Sequence, residues 1–170
     1  MSSVAPPRSP LDPVRWFLIT SGGLGLSPFA PGTVGTLGGV VLGVLLQALL
    51  PGHEVLGWSI AAAVLFWFGC SQSAYVARTW PRKDPGAFVL DEVVGYLVTL
   101  IVYTLLAGTL PLAVGHVAAF FAFRCFDVLK LEPCRSLERL PGALGIMADD
   151  QIAGVYAGLS MWLVLPLVVG

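Results

Sequence analysis

Residues 91–127 read DEVVGYLVTLIVYTLLAGTLPLAVGHVAAFFAFRCFD, an apolar run with carboxylates at both ends. No Asp, Glu, Lys or Arg interrupts residues 93–123. One untilted crossing of a bilayer takes about 20 apolar residues, so the run is too long for one span and suits two rather short ones. Gly108-Thr109-Leu110-Pro111, with Gly115 soon after, supplies the break. The expected hairpin returns Asp127 to the face from which Asp91 set out.

The rest of the chain extends this pattern. Hydrophobic residues make up 56% and charged residues 11%, and the mean hydropathy is +0.85. Residues 34–50, 55–77 and 152–169 are also free of Asp, Glu, Lys and Arg. The fold class expected is all-α: an integral membrane helical bundle of four to five transmembrane helices with short loops. A soluble helical protein with an unusually buried core is the competing reading, which this composition disfavours. The length fits one domain, a polar, proline-rich tail over 1–14 expected to be disordered, followed by an embedded unit over 15–170. Residues 16–20 form a short apolar stretch suited to an interfacial helix.

With five spans, one face receives residues 1–33, 78–92 and 124–151. All 9 Lys and Arg residues fall there, so the positive-inside rule makes that face cytoplasmic. The net charge of −1 and the lack of a basic stripe give no sign of nucleic-acid binding. Cys70, Cys125 and Cys134 form no CxxC pair and read as reduced thiols, two of them in or at apolar segments. Residues 1–13 lack the apolar core of a signal peptide.

In five-span alternation the carboxylates Asp91, Glu92, Asp127, Asp149 and Asp150 emerge on one face, where segments begin or end. Carboxylates beside lipid are costly unless paired, solvated or bound to a cation. Oxygen ligands of this kind suit Mg²⁺, which takes a few carboxylates plus water and substrate phosphate. Helix capping accounts equally well for Asp91 and Asp149. It serves Asp127 poorly, because an acid near a helix C-terminus opposes the dipole. Arg124, Asp127 and Lys130 are spaced at i, i+3 and i+6, which is either a salt-bridged stripe or a phosphate-capturing pair of cations.

The glycine-dense segment SGGLGLSPFAPGTVGTLGG (residues 21–39) precedes the first span. Its portion from Ser27 through Gly32 to Thr33 is suited to wrapping a phosphate with backbone N–H groups, with Thr33 or Thr36 as the helix cap. No GK[ST] follows, so it is not a Walker A loop. Gly35, Gly39 and Gly43 stand at GxxxG spacing and read as helix-packing positions. A CxxxxxR phosphatase loop and a DxDxT motif are both absent, and His53 and His116 read as interfacial or core residues. Metal-assisted chemistry with carboxylates remains.

In these residues the chain resembles the phosphatidylglycerophosphatase A family. The matching blocks are GLSPFAPGTVGTL (25–37), DEVVGYL (91–97), FRCFDVLK (123–130) and GIMADDQIAG (145–154), in the family's order. Together they are highly specific, and the similarity covers roughly residues 15–165. The resemblance implies removal of the terminal phosphate of phosphatidylglycerophosphate, a membrane lipid, to give phosphatidylglycerol in glycerophospholipid biosynthesis. It also implies a requirement for Mg²⁺, the bacterial inner membrane as the location, and a site at its cytoplasmic face.

Asp91, Glu92, Asp127, Asp149 and Asp150 are then the expected catalytic and metal residues. Ser27, Gly32, Thr33, Thr36, Arg124 and Lys130 are those expected to bind substrate. Leu131-Glu132-Pro133 stands where the family usually has Pro-x-Pro, and Pro141-Gly142-Ala143 where it often has His-Gly-Gly. Neither departure touches a carboxylate. The rival readings are a carboxylate-lined cation transporter or channel, whose acids usually lie at mid-membrane, and a CDP-alcohol phosphotransferase, whose signature the chain lacks.

Overall fold

A computed structural model of the chain describes residues 9–80 and 85–169, without the side chains of the last two. The described residues form helices and turns with no strand. They comprise α1 (Asp12–Ile19), a 3₁₀ turn (Leu24–Leu26), α2 (Pro31–Leu49), α3 (Glu54–Ser71) and α4 (Ser73–Thr79). After these come α5 (Leu90–Ala107), α6 (Leu112–Leu129), α7 (Cys134–Leu137) and α8 (Ala143–Val169). Four of them, α2, α3, α5 and α6, are long and apolar enough to cross a membrane.

The hairpin forms where the sequence breaks. Gly108 stops α5 at a φ of 84°, its N–H bonding Thr104 O at 2.8 Å, a conformation glycine adopts without Cβ strain. Pro111 then precedes α6, where no helical N–H is needed. Because α5 and α6 run antiparallel, Asp91 and Asp127 share one end of the bundle.

Helix α5 is the centre. Of its residues 61% are buried, against 22–28% for the other three candidate spans, and α2, α3, α6 and α8 all pack on it. Two of these contacts are very close. Gly35 of α2 lies on Val89, the cap of α5, and Gly39 and Gly43 lie on Tyr96 and Leu100 of α5. On the other side a Cβ added to Gly95 would stand 2.7 Å from Asp150 O, and one on Gly158 would stand 2.9 Å from Thr99 O. Small residues let backbones approach where lipid supplies no hydrophobic drive between helices.

The outward faces are apolar stripes. Leu37, Val41, Leu45 and Leu49 repeat every fourth residue along α2, and Leu56, Ile60, Val64 and Trp67 do so nearly along α3; all are exposed. Exposed apolar surface of this extent belongs against lipid. The fifth expected span is the apolar part of α8, which contains Pro166.

Several expectations shift. Residues 1–8 of the anticipated tail lie outside the described residues, but Asp12 already opens α1, two residues before the tail was to end. The second charge-free stretch is not one helix: Gln72 separates α3 from α4. Trp58 of α3 is fully buried and donates to Gly43 O of α2 at 2.9 Å. Cys125 is exposed and Cys134 buried, and the three thiols are free.

Candidate active site

At the end shared by the start of α2, the start of α5 and the last turn of α6 lies a cavity of about 330 Å³. Its wall includes Pro31 and Gly32 from α2, Asp91 and Glu92 from α5, Asp127 and Lys130, Glu138, and Asp149 and Asp150 from α8. Gly86 and Phe88, from the segment leading into α5, complete one side. All five expected acids are therefore brought together, from three helices.

They divide into two kinds. Oxygens of Asp91, Glu92 and Asp150 lie within 4.8 Å of one another. Asp91 is 7% exposed and Asp150 4%. Two oxygens in this cluster, Glu92 Oε2 and Asp150 Oδ2, are buried without a hydrogen-bond partner. Asp91 Oδ1 accepts the Glu92 N–H at 3.1 Å, so Asp91 does satisfy one first-turn amide as capping would have it. The other two acids are held by cations. Asp127 is bridged by Arg124 one turn before it, and Asp149 accepts from Lys130 at 2.9 Å.

Asp149 and Asp150 do not begin their helix. Helix α8 starts at Ala143, whose N–H donates to Ser73 Oγ at 2.9 Å, so both acids lie well inside it and capping cannot account for them. Burial, and then the charges of Asp127, Glu92 and Asp149, push the Asp150 carboxyl well above the ordinary carboxylate range. Burial also raises Asp149, against the pull of Lys130. An uncompensated acid cluster of this kind either holds protons or gathers a cation. Hard oxygen donors, close together and two of them unpartnered, fit Mg²⁺.

Lys130 sits differently from the expected stripe. Helix α6 ends at Leu129 and Lys130 adopts a left-handed conformation, φ 44°. This turns its side chain away from Asp127 and into a bridge with Glu138 and Asp149. Burial works against its charge, but those two bonds prevail and hold its pKa above the usual lysine value. Glu138 had not been singled out from sequence: it lies in a polar segment, and nothing in its spacing marks it. Arg124 does not line the cavity. Its guanidinium lies behind Gly32, 3.2–3.3 Å from where a Gly32 Cβ would stand, and its Nε is a buried donor without a partner.

Of Ser27, Gly32, Thr33 and Thr36, only Gly32 lines the cavity, beside Pro31. A Cβ there would overlap Glu92 Oε1. The Ser27 hydroxyl donates to Phe29 O at 2.8 Å. Neither Thr33 nor Thr36 caps α2. The cap position is Ala30, left-handed at φ 43° with no side-chain bond. Thr36, fully buried, donates back to Gly32 O at 2.8 Å.

The family model for phosphatidylglycerophosphatase A matches residues 17–165, a stretch that contains every residue of this cavity. The chain belongs to the phosphatidylglycerophosphatase A family. It is similar to the phosphatidylglycerophosphatase A of Haemophilus influenzae, 38% identical over 148 residues, covering 86% of this chain and 85% of that one. The protein of the same name from Escherichia coli K12 is 32% identical, covering 82% and 77%. A Bacteroides thetaiotaomicron protein named as a candidate phosphatidylinositol-3-phosphatase is 36% identical, covering 81% and 85%. No solved structure matches the chain. Family membership makes the protein a phosphatase with membrane-capable helices.

Proposed function

We propose that the protein hydrolyses the terminal phosphomonoester of phosphatidylglycerophosphate, giving phosphatidylglycerol and phosphate, with Mg²⁺ held by Asp91, Glu92 and Asp150. The observation that carries this reading is the three-carboxylate cluster with two unpartnered buried oxygens, at one end of a bundle clad in apolar surface. Two relatives are named for this activity. When bound, Mg²⁺ would polarise the phosphoryl oxygens and lower the pKa of a water.

The chain's own residues do the rest. Lys130, tethered between Glu138 and Asp149 at the cavity wall, presents a fixed positive charge to phosphoryl oxygens. Arg124 bridges Asp127 and supports the wall behind Gly32. Asp127, bridged by Arg124, is close enough to Asp150 to raise the proton affinity of that carboxyl. Each acid is engaged in the cluster or with a cation, which favours direct attack by water over an aspartyl-phosphate.

A lipid's phosphomonoester sits at headgroup level, the depth expected for helix ends. Acids gathered at one end of the bundle also disfavour the transporter alternative, whose sites lie near mid-membrane. The concentration of Lys and Arg at the site's end of the bundle supports a cytoplasmic-face site in the bacterial inner membrane. The Bacteroides relative makes the headgroup the open variable. Purified protein in detergent is given phosphatidylglycerophosphate or phosphatidylinositol 3-phosphate, with Mg²⁺ or EDTA. Faster phosphate release from the first, abolished by EDTA, is expected; preference for the inositide would reassign the substrate.

A further inference from the structure

Helices α2, α3, α5 and α6 meet around a buried polar chain that the proposed chemistry does not use. Tyr96 OH lies 2.7 Å from His116 Nδ1, and His116 Nε2 lies 2.8 Å from Gln47 Oε1. Gln47 Nε2 donates to Leu110 O at 2.9 Å. His116 is 4% exposed and Tyr96 fully buried. The Trp58 ring meets the imidazole edge-on at 6.5 Å.

The direction of every proton follows from one fixed end. Leu110 O can only accept, so the Gln47 nitrogen faces it and the Gln47 oxygen faces His116. His116 then carries its proton on Nε2, and Nδ1 is left to accept from the Tyr96 hydroxyl. Each bond then has a donor and an acceptor. A buried network is favourable only when satisfied in this way.

Its position matters because the α2–α5 contact is otherwise degenerate in register. Gly35, Gly39 and Gly43 are equally spaced, so sliding α2 by four residues sets glycine on glycine again. Such a slip covers about 6 Å at 1.5 Å per residue, and it would carry Gly32 away from Glu92 and Arg124. It would also pull Gln47 out of reach of His116, leaving buried polar groups unpartnered. Single buried polar residues are well attested as register devices between helices.

The geometry points to Tyr96, His116 and Gln47 as positioning residues: a register lock inside the membrane that holds α2 on α5 and α6, and so keeps the phosphate and metal site assembled. The consequence for metal affinity rests on the proposed function, but the consequence for register does not.

The test separates register from stability. The triple variant Gln47→Leu, Tyr96→Phe, His116→Leu removes every side-chain member together and leaves Leu110 O as the one acceptor without its donor, a smaller loss than truncating one member of the chain alone. Spin labels at Leu37 on α2 and Leu159 on α8, both exposed, report the register by pulsed EPR. The wild-type bundle should give one narrow distance. The triple variant should show a broadened or second population, with the Mg²⁺ concentration for half-maximal turnover raised about tenfold, the lower end for lost supporting contacts of a metal site. Its melting temperature should stay near wild type.

An unchanged distance distribution with unchanged Mg²⁺ dependence overturns the inference, as does a fall in melting temperature with the distance unmoved. If the wild-type protein shows no Mg²⁺-dependent release, the proposed function fails while the EPR arm still decides the lock.

Discussion

Gly95→Ala places one methyl group where α5 meets α8, and its effect can be worked from the geometry. The new Cβ would stand 2.7 Å from Asp150 O and 2.6 Å from the Phe123 ring. Ordinary contact begins near 3.4 Å, so α8 must give way by about 0.7 Å at the residue whose side chain completes the carboxylate cluster. Metal sites tolerate roughly 0.2 Å in ligand distances. The shift is several times that tolerance, so Mg²⁺ affinity should fall by about 10- to 100-fold, as when the supporting contacts of a metal site are lost.

Overpacking itself costs about 1–3 kcal/mol, which lowers the melting temperature by roughly 2–4 °C per kcal/mol for a chain of this size. Gly158→Ala is the control. Its Cβ would be equally crowded, 2.6 Å from Val102 Cβ, but Gly158 lies about 12 Å along the axis from Asp150. Phosphate release against Mg²⁺ concentration, with melting curves, should show Gly158→Ala losing stability with near-normal metal dependence and Gly95→Ala losing both. Wild-type metal dependence in Gly95→Ala would refute the claim that this close approach sets the cluster.

Lys130→Ala should reduce turnover by roughly 10- to 150-fold, the range for one charged hydrogen bond worth about 1.5–3 kcal/mol, with a smaller change in Mg²⁺ affinity; a stability loss with unchanged turnover would remove Lys130 from the site. Glu138→Gln should weaken substrate binding more than metal binding, because it loosens Lys130 without touching the cluster; equal losses in both would contradict its assignment as a tether. Cysteines at Gly86 and Ser136, in a background without Cys70, Cys125 and Cys134, should both react with an impermeant reagent from the cytoplasmic side. Labelling from opposite sides would break the topology.

The hairpin was legible because its cause is local: Gly108 and Pro111 stop and start helices by their own backbone limits. The gathering of the acids at one end followed from it. The division of labour among them did not, because it depends on helix rotation. Asp149 and Asp150 are neighbours in sequence but about 100° apart around α8, so one meets Lys130 and the other the α5 carboxylates. Lys130 escaped the i+6 stripe because α6 ends at Leu129 and Lys130 itself takes the left-handed conformation. The threonine caps failed for a similar reason: Ala30 turns the chain into α2 without side-chain help. Glu138 and the Gln47–His116–Tyr96 chain rest on pairings far apart in sequence, which no local pattern announces.

The central claim is that Asp91, Glu92 and Asp150 hold the cation on which hydrolysis depends. Phosphate release from phosphatidylglycerophosphate, titrated with Mg²⁺ for the wild-type protein and for Asp150→Asn, tests it most directly. Asparagine keeps the shape of Asp150 and removes its charge. The account predicts saturable activation by Mg²⁺ in the wild type, and a loss of orders of magnitude in the variant that added Mg²⁺ only partly restores. Undiminished release by Asp150→Asn, or release by the wild type that persists in EDTA, would contradict it.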